Sequence, residues 1–312
     1  MEDKINVYEL VNSSIEIIFE ASKKIREIIK NNGELQIKNK GDKNNFDPQT
    51  IADLTSQRII VNNLKNKFKN INIIGEENDE NNDINKYLIN LKNNVLNNLE
   101  INELKNINLN KKKITVFVDP LDGTKEFTEG ITSAVTILLG VSYRGKPIFG
   151  IIHQPWYQNN IQQCYFADYF TNKTYKTQIN ENIYDNYSWN ILEKPDIKKY
   201  KNRKNIATSR SHGSEKIEQS IKKINPSNVI RIGGAGNKII KLIEGNIDCY
   251  LFPTPGTSKW DTCAGQIILE TMGGILTNIF GEEYIYNNDL NNIKNTNGII
   301  AVIDRFRLFE FL

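Results

Sequence analysis

At 312 residues the chain has room for one large domain or two of ordinary size, with enough apolar material for a full core. Its 40 Lys and Arg against 37 Asp and Glu leave a formal net charge of +3, too small a field to argue for nucleic acid or a membrane surface as partner. Three widely spaced cysteines (Cys164, Cys249, Cys263) without a CxxC pair exclude a zinc ribbon and suit a reducing compartment. Two histidines, His153 and His212, exclude a histidine-rich metal site.

The N-terminus is charged within its first four residues, and no apolar run approaches the length that spans a bilayer, so the cytoplasm is the expected location. Val7, Leu10, Val11, Ile18, Ile25 and Ile29 recur at helical spacing and predict an amphipathic helix over 6–30. Asp47-Pro48 reads as an N-cap with proline at the first helical position, opening a helix whose stripe is Ile51, Leu54, Val61, Leu64 and Phe68. Residues 71–74 form a short strand that runs into Gly75-Glu76-Glu77. Residues 78–113, weakly periodic and rich in Asn, Lys and Leu, read as a solvated, partly helical insertion; 157–204, rich in Asn, Tyr and Lys, reads as a second. Between them, 134–143 and 147–153 alternate around Arg144-Gly145-Lys146 and predict a β-hairpin. After about residue 204 the order changes: strands at 205–208, 228–232, 248–252, 275–279 and 298–303 alternate with helices at 214–223, 237–244 and 261–272. The last two helices stop at Gly245 and Gly273. The chain thus divides into an α+β part, 1–204, and an α/β part, 205–312.

The densest chemistry lies in Val116-Phe-Val-Asp119-Pro-Leu-Asp122-Gly-Thr124. A short apolar run, read as a buried strand, meets a turn shaped by Pro120 and Gly123. Two carboxylates placed there repel each other and bear a desolvation cost unless a cation lies between them. Hard divalent cations such as Mg²⁺ take such oxygen ligands, commonly together with substrate phosphate. A plain Asp-Pro/Asp-Gly surface turn is the alternative for this stretch alone. The aspartyl-phosphate motif D-x-D-G-T is a poorer match, because a spacing of three brings both acids to one side of a strand only if the turn does so.

Other acids stand at comparable places. Glu76-Glu77 follows a strand, Asp53 lies in the first turns of a helix, and Asp261 begins another within Lys259-Trp260-Asp261. Singly these read as a solvated turn, a helix-dipole acid and an N-cap. As an ordered set, Asp53, Gly75-Glu76-Glu77, Asp119-Pro-Leu-Asp122-Gly-Thr124 and Trp260-Asp261 closely resemble the motifs of the lithium-sensitive, Mg²⁺-dependent inositol-phosphatase superfamily. Thr208-Ser209-Arg210-Ser211-His212, Gly233-Gly234-Ala-Gly236-Asn-Lys238 and Phe127-Thr-Glu-Gly130 resemble segments of its 3′(2′),5′-bisphosphate nucleotidase branch.

The resemblance implies a layered αβαβα sandwich, an α/β (α+β) fold of the inositol-phosphatase and fructose-1,6-bisphosphatase type. It implies two or three Mg²⁺ ions held by Glu76, Asp119, the carbonyl oxygen of Leu121, Asp122 and Asp261, with Li⁺ as inhibitor. Asp53 and the Thr124 hydroxyl would orient and deprotonate the attacking water, with no phosphoenzyme. Thr124, Ser209, His212, Gly234 and Lys238 would contact the substrate. That substrate would be 3′-phosphoadenosine 5′-phosphate, the by-product of sulfate transfer, with 3′-phosphoadenylyl sulfate as a second nucleotide. The alternatives are an inositol polyphosphate 1-phosphatase, an inositol monophosphatase, or a catalytically inactive nucleotide sensor. No nucleic acid or membrane partner is implied, and either a monomer or a homodimer is compatible. Independently of any family, a glycine-rich strand-to-helix turn with a lysine after it can cradle an anion, although the stretch is neither a dinucleotide-binding nor a P-loop pattern. Pro253-Thr-Pro255-Gly256-Thr257 carries no assigned role beyond a rigid loop.

Overall fold

The computed structural model describes residues 3–30, 35–41, 47–78, 85–181, 187–196, 198, 202–211 and 213–312. In chain order, β1 (Lys4–Asn6) leads into α1 (Val7–Lys30), and β2 (Lys38–Asn39) pairs with β3 (Pro48–Gln49) ahead of α2 (Ile51–Lys67) and β4 (Asn72–Gly75). Then come α3 (Asn102–Lys105), β5 (Asn108–Asn110), β6 (Ile114–Asp122), α4 (Thr124–Thr128) and the strands β7 (Thr136–Tyr143), β8 (Lys146–Gln158), β9 (Ile161–Asp168), β10 (Lys173–Asn180) and β11 (Asn190–Ile191). The remainder is β12 (Asn205–Ser209), α5 (Glu215–Ile224), β13 (Asn228–Ile232), α6 (Ala235–Ile243), β14 (Cys249–Phe252), α7 (Lys259–Thr271), β15 (Ile275–Thr277) and β16 (Ile299–Val302).

Two sheets organise these elements. The first has seven strands in the order β11-β10-β9-β8-β7-β6-β4, antiparallel except where β4 runs parallel to β6. The second has five, β13-β12-β14-β16-β15, parallel through β13, β12 and β14 and antiparallel at the other edge. Apolar alternation turns Ile137, Leu139 and Val141 toward α1 and α2, and Leu138 toward the opposite side, where α6 and α7 lie between the sheets. Beyond the second sheet, Ile206, Leu251 and Ile300 pack against Ile224 of α5 and the C-terminal Leu308 and Phe311. The result is an αβαβα sandwich in five layers.

A glycine pair brings the middle layer close. Gly140 of β7 faces Gly150 of β8 across the ladder. A Cβ at Gly140 would lie 2.6 Å from Cys263 Cβ, and one at Gly150 would lie 2.6 Å from the Ala264 carbonyl oxygen. Only bare backbone lets α7 settle this near the sheet, and its position fixes Asp261 at its first turn.

Three expectations need correction. The second helix starts at Ile51, not at Pro48, because Thr50 caps it: Thr50 Oγ1 accepts from Ala52 N at 3.2 Å, while the Thr50 N–H donates to Asp53. The segment 78–113 is not merely solvated, since Val95, Leu96, Ile101 and Leu104 are buried in the main core; residues 79–84 lie outside the described residues. Within 157–204, β9 and β10 are full members of the large sheet, with Tyr165, Phe166 and Tyr175 buried. The Gln and Asp residues of β9 and the Lys, Gln and Asn residues of β10 hid a strand signal that cross-strand burial supplies. Residues 182–186, 197 and 199–201 lie outside the described residues. The hairpin turn at Arg144 and Gly145 is as expected, both with positive φ (53° and 82°), as a two-residue turn between twisted strands requires.

Candidate active site

β6 ends in the two aspartates, and the sheet register shows how they come together. From Asp119 to Asp122 is three residues, while their partners Leu138 and Thr136 on β7 are two apart. The extra residue is a β-bulge, which restores both acids to one side of the strand. Gly123 follows in the left-handed region (φ 88°), where a side chain would be strained, and turns the chain into α4 at Thr124. Asp119 and Asp122 are both buried, so the surface-turn reading fails. Asp261, half-buried at the start of α7, completes a cluster with them in which one carboxylate oxygen from each lies within 4.8 Å of the others.

Asp53 and Asp261 occupy equivalent helical positions. Each is the third residue of its helix, and each takes the backbone N–H of its own N-cap: Thr50 N to Asp53 Oδ2 at 2.8 Å, Ser258 N to Asp261 Oδ2 at 2.5 Å. Asp261 is therefore not the N-cap that its place in the sequence suggested; Ser258 is, and the capping box aims the Asp261 carboxylate as it does that of Asp53. The other oxygen of Asp53 receives the Thr124 hydroxyl at 2.9 Å, and Thr124 Oγ1 also lies 3.0 Å from the Leu121 carbonyl oxygen.

Glu76 follows β4, with its N–H on the Val118 carbonyl at 3.0 Å, which anchors it beside the acidic strand. Its carboxylate meets Lys40 Nζ at 2.9 Å, and the same ammonium holds Glu77 at 2.7 Å. Glu77 turns away from the cluster onto Gln49 and Gln57. Glu76 and Asp119 are within hydrogen-bonding reach of each other, as are Asp119 and Asp261.

Burial pushes the carboxyls of Asp53, Glu76, Asp119, Asp122 and Asp261 upward. Asp53 rises to about 7 through desolvation, then Glu77 and Glu76, and Asp261 to about 7 through desolvation, then Glu76 and Asp122. Asp119 stands well above the usual carboxylate range because it is desolvated and faces Glu76, Asp122 and Asp261. Glu76 is raised by desolvation against the pull of Lys40. Carboxyls this close either share protons or hold a cation between them. The donor set is oxygen throughout, which suits a hard divalent ion such as Mg²⁺ and not zinc.

The cluster opens on a cleft of about 160 Å³ bordered by Glu76, Leu121, Thr124, Ser209, Gly234 and Lys238. His212 lies outside the described residues. The glycine turn does cradle an anion, but here that anion is Asp122: Ala235 N donates to Oδ1 and Gly236 N to Oδ2, each at 2.8 Å, and Thr136 donates to Oδ2 at 2.6 Å. A Cβ on Gly234 would fall 2.6 Å from the Ala134 carbonyl oxygen, which explains the bare backbone at that point. Lys238 is not a mobile charge. It is buried with Nζ 2.7 Å from the Gly234 carbonyl and 5.0 Å from the Tyr250 ring centre, and desolvation lowers it to about 8 against the pull of Asp122. Gly256 and Thr257 border the cleft as well, which gives the proline-rich loop a place in its wall. Lys40, Thr136 and Tyr250 escaped sequence reasoning, since none belongs to a motif or has a spacing that betrays its partner.

Comparison with known proteins fits this geometry. The sequence profile of the inositol monophosphatase family matches residues 6–304. The 3′(2′),5′-bisphosphate nucleotidase 1 of Rattus norvegicus is 36% identical over 263 residues, covering 84% of this chain and 81% of the relative. Its namesake from Dictyostelium discoideum is 33% identical over 310 residues, covering 99% and 97%. Among solved structures, CysQ from Bacteroides thetaiotaomicron, a bacterial member of the inositol monophosphatase family, superposes with a TM-score of 0.65 at 23% identity, over 94% of this chain and 96% of that one. With its profile matched almost end to end and its layers reproduced, the chain belongs to the inositol monophosphatase family.

Proposed function

We propose that the protein is a Mg²⁺-dependent phosphatase that removes the 3′-phosphate from 3′-phosphoadenosine 5′-phosphate, leaving AMP and inorganic phosphate. The observation that carries the reading is the Asp119–Asp122–Asp261 cluster standing beside the Asp53–Thr124 pair on one cleft. The nucleotide substrate is supported by two relatives of 33–36% identity that bear the bisphosphate nucleotidase name. Asp119, Asp122, Asp261, Glu76 and the Leu121 carbonyl oxygen would hold the cations. When bound, Mg²⁺ supplies the positive charge that phosphoryl transfer needs and raises the acidity of the attacking water.

The chain's own residues account for the proton. Asp53 takes the proton of the Thr124 hydroxyl, so that Thr124 Oγ1 is free to accept from a water in the cleft. A base held near 7 is poised to work at neutral pH. Ser209, His212, Gly234 and Lys238 are proposed to contact the nucleotide, and Li⁺ to inhibit by competing for a cation position. A sensor without activity has no use for a hydroxyl held by a near-neutral base.

The test is phosphate release from 3′-phosphoadenosine 5′-phosphate beside inositol 1,4-bisphosphate and inositol 1-phosphate, with and without millimolar Li⁺. Turnover favouring the nucleotide and suppressed by Li⁺ is expected. Preference for an inositol phosphate would keep the metal site and overturn the substrate.

A further inference from the structure

Glu126 is a buried carboxylate that the proposed reaction leaves without a task. It sits on α4 two residues after Thr124 and borders the cleft. Its side chain lies over the backbone of Gly233, where a Cβ would fall 1.9 Å from Glu126 Cδ. Its ion-pair partner is Arg210, whose Nε stands 3.2 Å from Glu126 Oε1 while Nη2 holds Glu129. Arg210 directly follows Ser209 at the end of β12. One guanidinium therefore fastens the second sheet to the helix that follows the acidic turn of the first.

The electrostatic consequence is specific. The cleft already holds Glu76, Asp119, Asp122 and Asp261, whose charges a bound cation offsets; Glu126 lies outside that cluster. Its field reaches the cleft, since Glu126 and Asp122 both act on the Lys238 ammonium. A buried carboxylate stripped of its partner would repel an incoming phosphate, and more strongly one that carries a second phosphate. We propose that Arg210 is a specificity-determining positioning residue: by cancelling the Glu126 charge it admits substrates with two phosphates, without touching the reacting atoms. This rests on the nucleotidase reading above.

The test compares KM for 3′-phosphoadenosine 5′-phosphate with KM for adenosine 3′-monophosphate, which differs only in the second phosphate. Arg210→Ala is expected to raise KM for the bisphosphate about tenfold, clearly more than for the monophosphate, with kcat changed far less. Glu126→Gln, which removes the negative charge bordering the cleft and leaves Arg210 paired with Glu129 alone, should move the KM ratio in the opposite direction, and adding it to Arg210→Ala should bring the ratio back toward wild type. Equal KM changes on both substrates, or no recovery in the double variant, would make Arg210 a mere tether and overturn the proposal. Should Arg210→Ala not fold, Glu126→Gln alone decides by the direction of the ratio. If the wild type hydrolyses neither nucleotide, the substrate reading has failed first. The same ratio is then taken on inositol 1,4-bisphosphate against inositol 1-phosphate, where the opposed shifts are still required.

Discussion

Asp53 carries two loads at once. Oδ2 takes the Thr50 N–H that starts α2, and Oδ1 takes the Thr124 hydroxyl. Asp53→Asn keeps an acceptor for the cap and loses the proposed base. Stability is therefore expected to fall by no more than about 1 kcal/mol, while kcat drops roughly a hundredfold or more. Thermal melting and steady-state kinetics on one preparation check both halves. Unchanged kcat would remove Asp53 from the reaction. Lys238→Ala is expected to raise KM for the bisphosphate more than for a monophosphate; equal rises would make Lys238 a structural bracket for the Gly234 turn. At this scale the acids were legible because their motifs are local. Lys40 was not, for it reaches Glu76 across a stretch with no periodic relation to it. Lys238 was found, but its burial against Tyr250 was not, because that contact joins two separate elements.

At the scale of elements, the site depends on how closely helices approach strands. Nothing in the hairpin pattern singles out Gly140 and Gly150, yet they form the seat of α7, which begins more than a hundred residues later. Gly140→Ala is expected to cost about 1–3 kcal/mol through overpacking and to lower activity by displacing Asp261. Denaturant melts and kcat measure the two effects, and a neutral result on both would show that α7 has room to spare. Helices α1, α5, α6 and α7 were readable from periodicity and glycine stops. Gly245 (φ 73°) and Gly273 (φ 94°) take up the left-handed position just beyond α6 and α7. β9 and β10 were not readable, because in a sheet buried on both faces the partners, and not the residue types, decide the strand.

For the molecule as a whole, two sheets and three helical layers converge on one group of carboxyls whose protonation is tied to stability. Asp53 and Asp261 stand at about 7 in the folded chain, well above the unfolded value. The native state thus holds protons that the unfolded chain releases near pH 4, so their contribution is present at low pH and is lost as pH rises through about 7. A divalent cation competes with those protons. The rise in Tm on adding Mg²⁺ should therefore be larger near pH 8 than near pH 6. A larger rise at the lower pH would contradict the site. The five-layer architecture was implied by the family resemblance that the ordered acidic motifs carry, whereas the part played by 78–113 and 157–204 emerged only from the packing of the assembled sheets. The most direct measurement is phosphate release from 3′-phosphoadenosine 5′-phosphate by the wild type and by Asp122→Asn, with Mg²⁺ present and chelated. Expected are Mg²⁺-dependent release by the wild type and a loss of about a hundredfold or more in the variant with its circular dichroism unchanged. Near-normal turnover by Asp122→Asn, or release that persists under chelation, would contradict the account.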